Sequence, residues 1–218
     1  MEESQSLTYM TQRRQLKPWK KFRSGRNTGT KREPKKRILI VCEGEKTEPN
    51  YFRSFRVTSA TVIVRGLGTN TINLVSTALQ LKEKAIVDHT PYDQVWCVFD
   101  RDSFAAADFN DALRVAAENN MEVAYSNEAF EVWYLLHFSY FHTGVSRDRY
   151  KQKLTRCLGK EYKKNSKLMY DELLNKQSQA IRYAKKLLTE EYPTLNPEAD
   201  NPSTTVFRLV EELNKNLN

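Results

Sequence analysis

Two short stretches of this chain are apolar at every position. They are Ile38-Leu39-Ile40-Val41-Cys42 and Val95-Trp96-Cys97-Val98-Phe99. A strand with one wet face alternates apolar and polar residues; these runs have no polar face to offer water. Strands covered on both sides fit such runs, as in a parallel sheet with helices packed on each face. Each run ends abruptly in acids. Glu43-Gly44-Glu45-Lys46-Thr47-Glu48-Pro49 follows the first, and Asp100-Arg101-Asp102 follows the second.

The segments between and after them alternate in kind. Thr47 is a plausible N-cap and Pro49 suits the first turn of a helix reaching about residue 55. A second strand is expected over 60–64, then a turn at Gly66-Leu67-Gly68-Thr69-Asn70. A helix over 71–86 follows, with Ile72, Val75, Leu79 and Ile86 on one side. After the second apolar run, a helix over 105–119 carries Phe109, Leu113 and Ala116 on its inner stripe. A fourth strand over 122–125 leads into an apolar helix over 130–138. Strand and helix in strict alternation with short links predict an α/β fold around a mostly parallel, right-handed four-stranded sheet. Beyond about residue 144 the pattern turns helical and charged, with helices expected over 147–158, 167–174, 177–191 and 203–214.

The chain has 218 residues and a formal charge of +8, and that charge is unevenly placed. Residues 1–37 hold twelve of the 35 Lys and Arg against three acids, which leaves the remainder close to neutral. We therefore divide the chain into a flexible basic arm over 1–36, an α/β core over 37–140 and a helical region over 141–218 packing on that core. A polybasic arm attracts polyanions, and Lys17, Lys20, Lys21 and Arg23 lie among Trp19 and Phe22, which have faces for base stacking. The same arm also suits an acidic protein surface, and those aromatics also suit pinning it to the domain. With 39% hydrophobic residues, global disorder is excluded. No apolar run approaches the roughly 18–20 residues that span a bilayer. The N-terminus is acidic and then polar, so we expect neither a secretory signal nor a membrane association. Three widely spaced cysteines, Cys42, Cys97 and Cys157, give neither a disulfide framework nor a zinc site. The chain reads as cytoplasmic.

In an open α/β sheet, ligands bind beyond the carboxyl ends of the strands near a switch in strand order. If the two apolar strands are neighbours, Glu43, Asp100 and Asp102 converge there. Three carboxylates without histidine are hard oxygen ligands, suited to Mg²⁺ or Mn²⁺. Gly44 lets a backbone or a phosphate approach that edge. The plainer alternatives are that Asp100 and Asp102 cap a helix and that Glu43 pairs with Lys46 or Arg101. Glu131, inside an apolar helix, needs a cation or the metal edge as partner. Glu48 is either a further ligand or a first-turn acid favoured by the helix dipole. Lys46 and Arg101 are candidates for a phosphate contact. His137 reads as a core or surface histidine, and Asn201 with Ser203-Thr204 as a helix cap or anion site. Arg147, Arg149, Lys151, Lys153, Arg156, Lys160, Lys163, Lys164 and Lys167 form a basic face, which is a solvated surface or a guide for a nucleic-acid backbone.

Val41-Cys42-Glu43-Gly44 with Phe99-Asp100-Arg101-Asp102 resembles the Toprim fold of topoisomerases, primases and overcoming-lysogenization-defect nucleases. More narrowly, four stretches resemble the RloB family of bacterial defence proteins. These are Ile40 through Glu48, Val98 through Asp102, Ser126-Asn127 through Phe138, and Asn201-Pro202-Ser203-Thr204-Thr205-Val206. Where many relatives carry Asn-Pro-(Cys)-Phe-Glu near the fourth strand, Glu128-Ala129 replaces the Pro and its neighbour in this chain, while Phe130 and Glu131 are retained. The resemblance implies a Toprim-like Rossmannoid core and metal-dependent phosphodiester chemistry. Glu43 would be general acid/base or metal ligand, and Asp100 and Asp102 the metal-binding pair. It further implies an AAA/ABC-type ATPase partner and a role as effector in anti-phage defence or abortive infection. DNA or RNA, transfer RNA included, is the implied target. Oligomeric state, self-association included, is left open. The rival expectations are a non-catalytic nucleic-acid-binding or signalling subunit, and a nucleotidyl transferase.

Overall fold

The computed structural model describes residues 35–101, 106–192 and 194–217. Among these, five strands form one sheet in the order β2-β1-β3-β4-β5. They are β1 (Lys36–Cys42), β2 (Ala60–Gly66), β3 (Gln94–Asp100), β4 (Glu122–Asn127) and β5 (Ser203–Thr204). The first four run parallel to their neighbours and β5 is antiparallel to β4. The helices are α1 (Thr47–Arg53), α2 (Thr71–Val87), α3 (Ala106–Glu118), α4 (Glu131–Leu136), α5 (Arg147–Leu158), α6 (Met169–Leu173), α7 (Gln177–Lys186) and α8 (Val206–Asn214).

The two apolar runs are the neighbours β1 and β3, paired from Ile38 with Gln94 to Cys42 with Val98. Their side chains split by parity between two cores, as the two-residue period of a strand requires. Ile38, Ile40, Cys42, Trp96 and Val98 face α1 and α4–α8. Leu39, Val41, Val95, Cys97 and Phe99 face α2 and α3. After β1 the chain steps to β2 on one side; after β2 it crosses to β3 on the other. The strand order therefore switches between β1 and β3, and their carboxyl ends flank the crevice.

Four expectations about elements differ from what is observed. Residues 203–204 were expected to open a helix; they form β5, and α8 begins at Val206. The two threonine hydroxyls find partners across the sheet edge: Ser126 Oγ lies 2.9 Å from Thr204 Oγ1, and Tyr125 N donates to Thr205 Oγ1 at 2.9 Å. Thr204 thus serves both sheet closure and the helix start, its Oγ1 also accepting from Val206 N at 3.2 Å. On α2 the inward residues are Leu74, Val75, Ala78 and Ala85, while Ile72 is 44% exposed and Ile86 57% exposed. On α3 they are Phe109, Ala112 and Ala116, with Leu113 at the margin. In both helices small alanines take the positions of closest approach, which a count of large apolar residues does not pick out. Thr47 is the first helical residue of α1, not its cap; its hydroxyl donates to the Lys164 carbonyl at 2.9 Å.

Candidate functional site

The carboxyl end of β1 delivers Glu43. Its amide continues the ladder one residue past the strand, donating to the Val98 carbonyl at 2.9 Å. Its carboxylate is held at both oxygens. Thr71 Oγ1, at the start of α2, donates to Oε1 at 3.0 Å. The backbone N–H of Asp100 donates to Oε2 at 3.0 Å. The acid after β1 is thereby tied directly to the acid that ends β3, although 57 positions separate them.

Asp100 turns toward the α1/α4/α5 side. Its side chain is 12% exposed, and Oδ2 accepts from Arg147 Nη2 at 2.9 Å. Burial lifts its carboxyl well above the ordinary carboxylate range. The negative charge of Glu48 adds to the rise, Arg147 opposes it, and Glu131 and Glu43 add to it again. Glu48 and Glu131 are themselves buried, at 7% and 6% exposure. Burial also raises the Glu48 carboxyl, its own backbone N–H opposes this, and Glu131 reinforces it. Lys164 draws it back down, and Glu43 pushes it up. Glu131 Oε1 accepts from the Tyr162 hydroxyl at 3.1 Å. Glu48 Oε2 is a buried oxygen with no hydrogen-bond partner among the described residues. Four carboxylates from β1, α1, β3 and α4 thus share one end of the sheet and repel one another there.

Gly44 has a definite steric reason. A Cβ at that position would collide with the Glu48 carboxyl group. The room expected for a phosphate over Gly44 is filled by this internal acid.

The edge is covered by one stretch of chain. Arg147 opens α5 and reaches Asp100; Tyr162 reaches Glu131; the Lys164 carbonyl takes the Thr47 hydroxyl and the Asn165 carbonyl the Asn50 amide. The sequence placed Arg147 and Lys164 on a basic face but did not link them to the carboxylates. One signal was present: an arginine in the first turn of a helix opposes the dipole, so another interaction must hold it there.

The other residues named from sequence are distributed as follows. Lys46 is exposed at the start of α1. Arg101 stacks its guanidinium 5.9 Å from the centre of the Phe109 ring, on the α3 side of the sheet and away from the Asp100–Glu48 side. His137 is fully buried, with Nδ1 2.8 Å from the Trp133 carbonyl, and burial lowers its pKa to about 4. It is a packing residue. Asp102, Lys17, Lys20, Lys21 and Arg23 lie outside the described residues.

The donor set is chemically right for a hard divalent cation, since every member is a carboxylate and one buried oxygen is unsatisfied. Among the described residues, however, no three His, Cys, Asp or Glu side chains are placed to hold a metal ion. Glu43, Asp100, Glu48 and Glu131 are the residues that would hold one, with Asp102 following directly in sequence. Among the described residues no helix is long and apolar enough to cross a membrane.

A family model described as RloB-like protein matches residues 38–213 of the chain, from within β1 to the last turn of α8. No curated protein and no solved structure gives a match.

Proposed function

The chain belongs to the RloB-like protein family, and from that premise we propose that it is a metal-dependent phosphodiesterase of the Toprim type, a nuclease acting on DNA or RNA. The observation that carries this reading is the hydrogen bond from the Asp100 amide to Glu43, which sets two acids side by side at the switch point of a parallel sheet. A bound Mg²⁺ or Mn²⁺ would supply charge stabilisation at a phosphodiester's attacking and leaving oxygens. The residues of the chain do the rest. Asp100, Glu48 and Glu131 set three carboxyl groups at one edge, where a dication would offset their mutual repulsion. Thr71 and the Asp100 amide fix the Glu43 carboxylate in one orientation, ready to accept or return a proton at the reacting oxygen. We propose further that the protein acts in the cytoplasm as an effector of anti-phage defence alongside an AAA/ABC-type ATPase.

The test is cleavage of labelled DNA and RNA by the full chain with Mg²⁺ or Mn²⁺. Asp100→Asn and Glu43→Gln are expected to abolish cleavage while keeping the parent's circular dichroism spectrum. Equal cleavage by parent and both variants rejects the reading. One observation favours the rival, a non-catalytic binding subunit: Glu43, Asp100 and Glu131 are each already engaged by protein donors. On that reading the parent cleaves nothing with any metal, yet still binds nucleic acid.

A further inference from the structure

Arg147 is placed where neither helix stability nor solubility would put it. It is the first residue of α5, at the end of the helix dipole that disfavours a cation. Its side chain is 42% exposed, yet it grips an acid that is only 12% exposed. The guanidinium therefore lies between Asp100 and solvent. Among the described residues, the groups whose charges act on Asp100 are Glu48, Glu131 and Glu43, all negative, and Arg147, the opposing cation. At Asp100 the arginine is the cation that opposes these acids, and it does so in direct contact.

We propose that Arg147 is the resident counter-ion of the carboxylate edge, which a divalent cation displaces from Asp100 and which then takes a non-bridging oxygen of a substrate phosphate. The inference rests on the metal-dependent reading above. A guanidinium presents the same planar fork to a carboxylate and to a phosphate, so the exchange needs no new donor geometry. Its half-exposed position gives the side chain room to swing outward. Lys151, one turn further along α5 on the same side as Arg147, is exposed and extends the positive charge away from the edge. No bond is made or broken; one ion pair is exchanged for two.

The two halves of the proposal predict shifts of opposite sign from one substitution. Mn²⁺ binding to the full chain is followed by electron paramagnetic resonance without nucleic acid. Binding of a short fluorescent oligonucleotide is then followed in Mn²⁺ across a salt series. Arg147→Gln is expected to bind Mn²⁺ about tenfold more tightly, because a charge-assisted hydrogen bond no longer competes. It is expected to bind the oligonucleotide more weakly, with the salt slope reduced by about one. Arg156→Gln, which removes a charge at the far end of α5, should leave Mn²⁺ affinity at the parent value. Arg147→Lys, which keeps the charge and loses the fork, should shift both readouts in the same directions by less, and it serves if Arg147→Gln does not fold. A parent that binds Mn²⁺ with no gain in Arg147→Gln overturns the counter-ion role alone. Unchanged oligonucleotide binding and slope overturn the phosphate role. If neither parent nor variant binds Mn²⁺, the metal reading fails and this proposal with it. A variant that binds Mn²⁺ where the parent does not supports both.

Discussion

One face of the sheet carries two helices, α2 and α3; the other carries α1 and α4–α8 and three of the four repelling acids, Glu48, Asp100 and Glu131. On the first face, large apolar side chains remain open to solvent: Ile72, Ile86 and Val87 are 44%, 57% and 76% exposed. A groove of about 310 Å³ runs between the two helices, lined by Ile72, Val75 and Leu79 against Ala112 and Val115. On the second face Trp133, Tyr134, Tyr150 and Leu154 are at most 1% exposed, and aromatic rings meet edge to face from Tyr51 through Phe130 to Tyr134. The contrast teaches why the acids sit where they do. A carboxylate keeps an unusual protonation state only where water is excluded and neighbours are fixed. The thick layer supplies both for Glu48 and Asp100, while the thin one contributes Thr71, which holds Glu43. The same sheet residues serve both faces, so the difference comes from what the C-terminal half adds to one side.

The comparison breaks most directly through Trp133. Trp133→Ala should cost about 3–5 kcal/mol in urea unfolding, as expected for an emptied core site. A cost near that of a surface change would mean the thick face is loosely packed. His137 sharpens the same point through pH. Its folded pKa of about 4 lies below the unfolded value of about 6.5. The neutral ring therefore stabilises the fold fully above the unfolded value, and that contribution is lost as pH falls from about 6.5 to about 4. The loss attributable to this ring is roughly 3 kcal/mol. Glu48 and Asp100 titrate in the opposite sense, so the quantity to measure is the difference between the parent and His137→Asn across that window. A parallel pair of profiles would show that the ring is not buried.

A smaller effect, of opposite sign, is expected at Glu48. Its carboxyl is raised by burial first and by Glu131 among its neighbours. For such a group the protonated form is the stabilising one: its benefit is present below the unfolded value and lost as pH rises through the raised folded value. Glu48→Gln should therefore increase the urea midpoint at neutral pH, with the gain shrinking below about pH 4. Destabilisation at neutral pH would show that the acid is satisfied in place. The smallest effect belongs to the thin face, where Ile72→Ser should change stability by no more than about 0.5 kcal/mol. A larger loss would reveal that the exposed apolar side of α2 is covered in solution.

Much of the fold was legible because β1 and β3 are apolar at every position and end in acids. That pattern admits few structures, and it located Glu43 and Asp100 at strand ends before any coordinates. The cover over them was not legible. Tyr162 and Lys164 look like any residues of a charged, helix-rich stretch, and their partners Glu131 and Thr47 lie 31 and 117 positions away. The role of Gly44 was misread for the same reason: glycine announces space, but not that Glu48 fills it. Ser203 and Thr204 carry hydroxyls that suit a helix start locally, and the open edge of β4 draws both residues into a strand.

From the order of residues alone came the parallel sheet, the two acids at its carboxyl edge and the kinship with RloB-like proteins. These rest on local periodicity and on motifs a few residues long, which survive without knowledge of neighbours. Only the folded chain decided that Asp100 faces Arg147, that Glu131 takes a tyrosine hydroxyl and that Glu48 Oε2 is buried without a donor among the described residues. Such pairings depend on which distant side chains packing brings within hydrogen-bonding range, and no local pattern encodes a distance across a core.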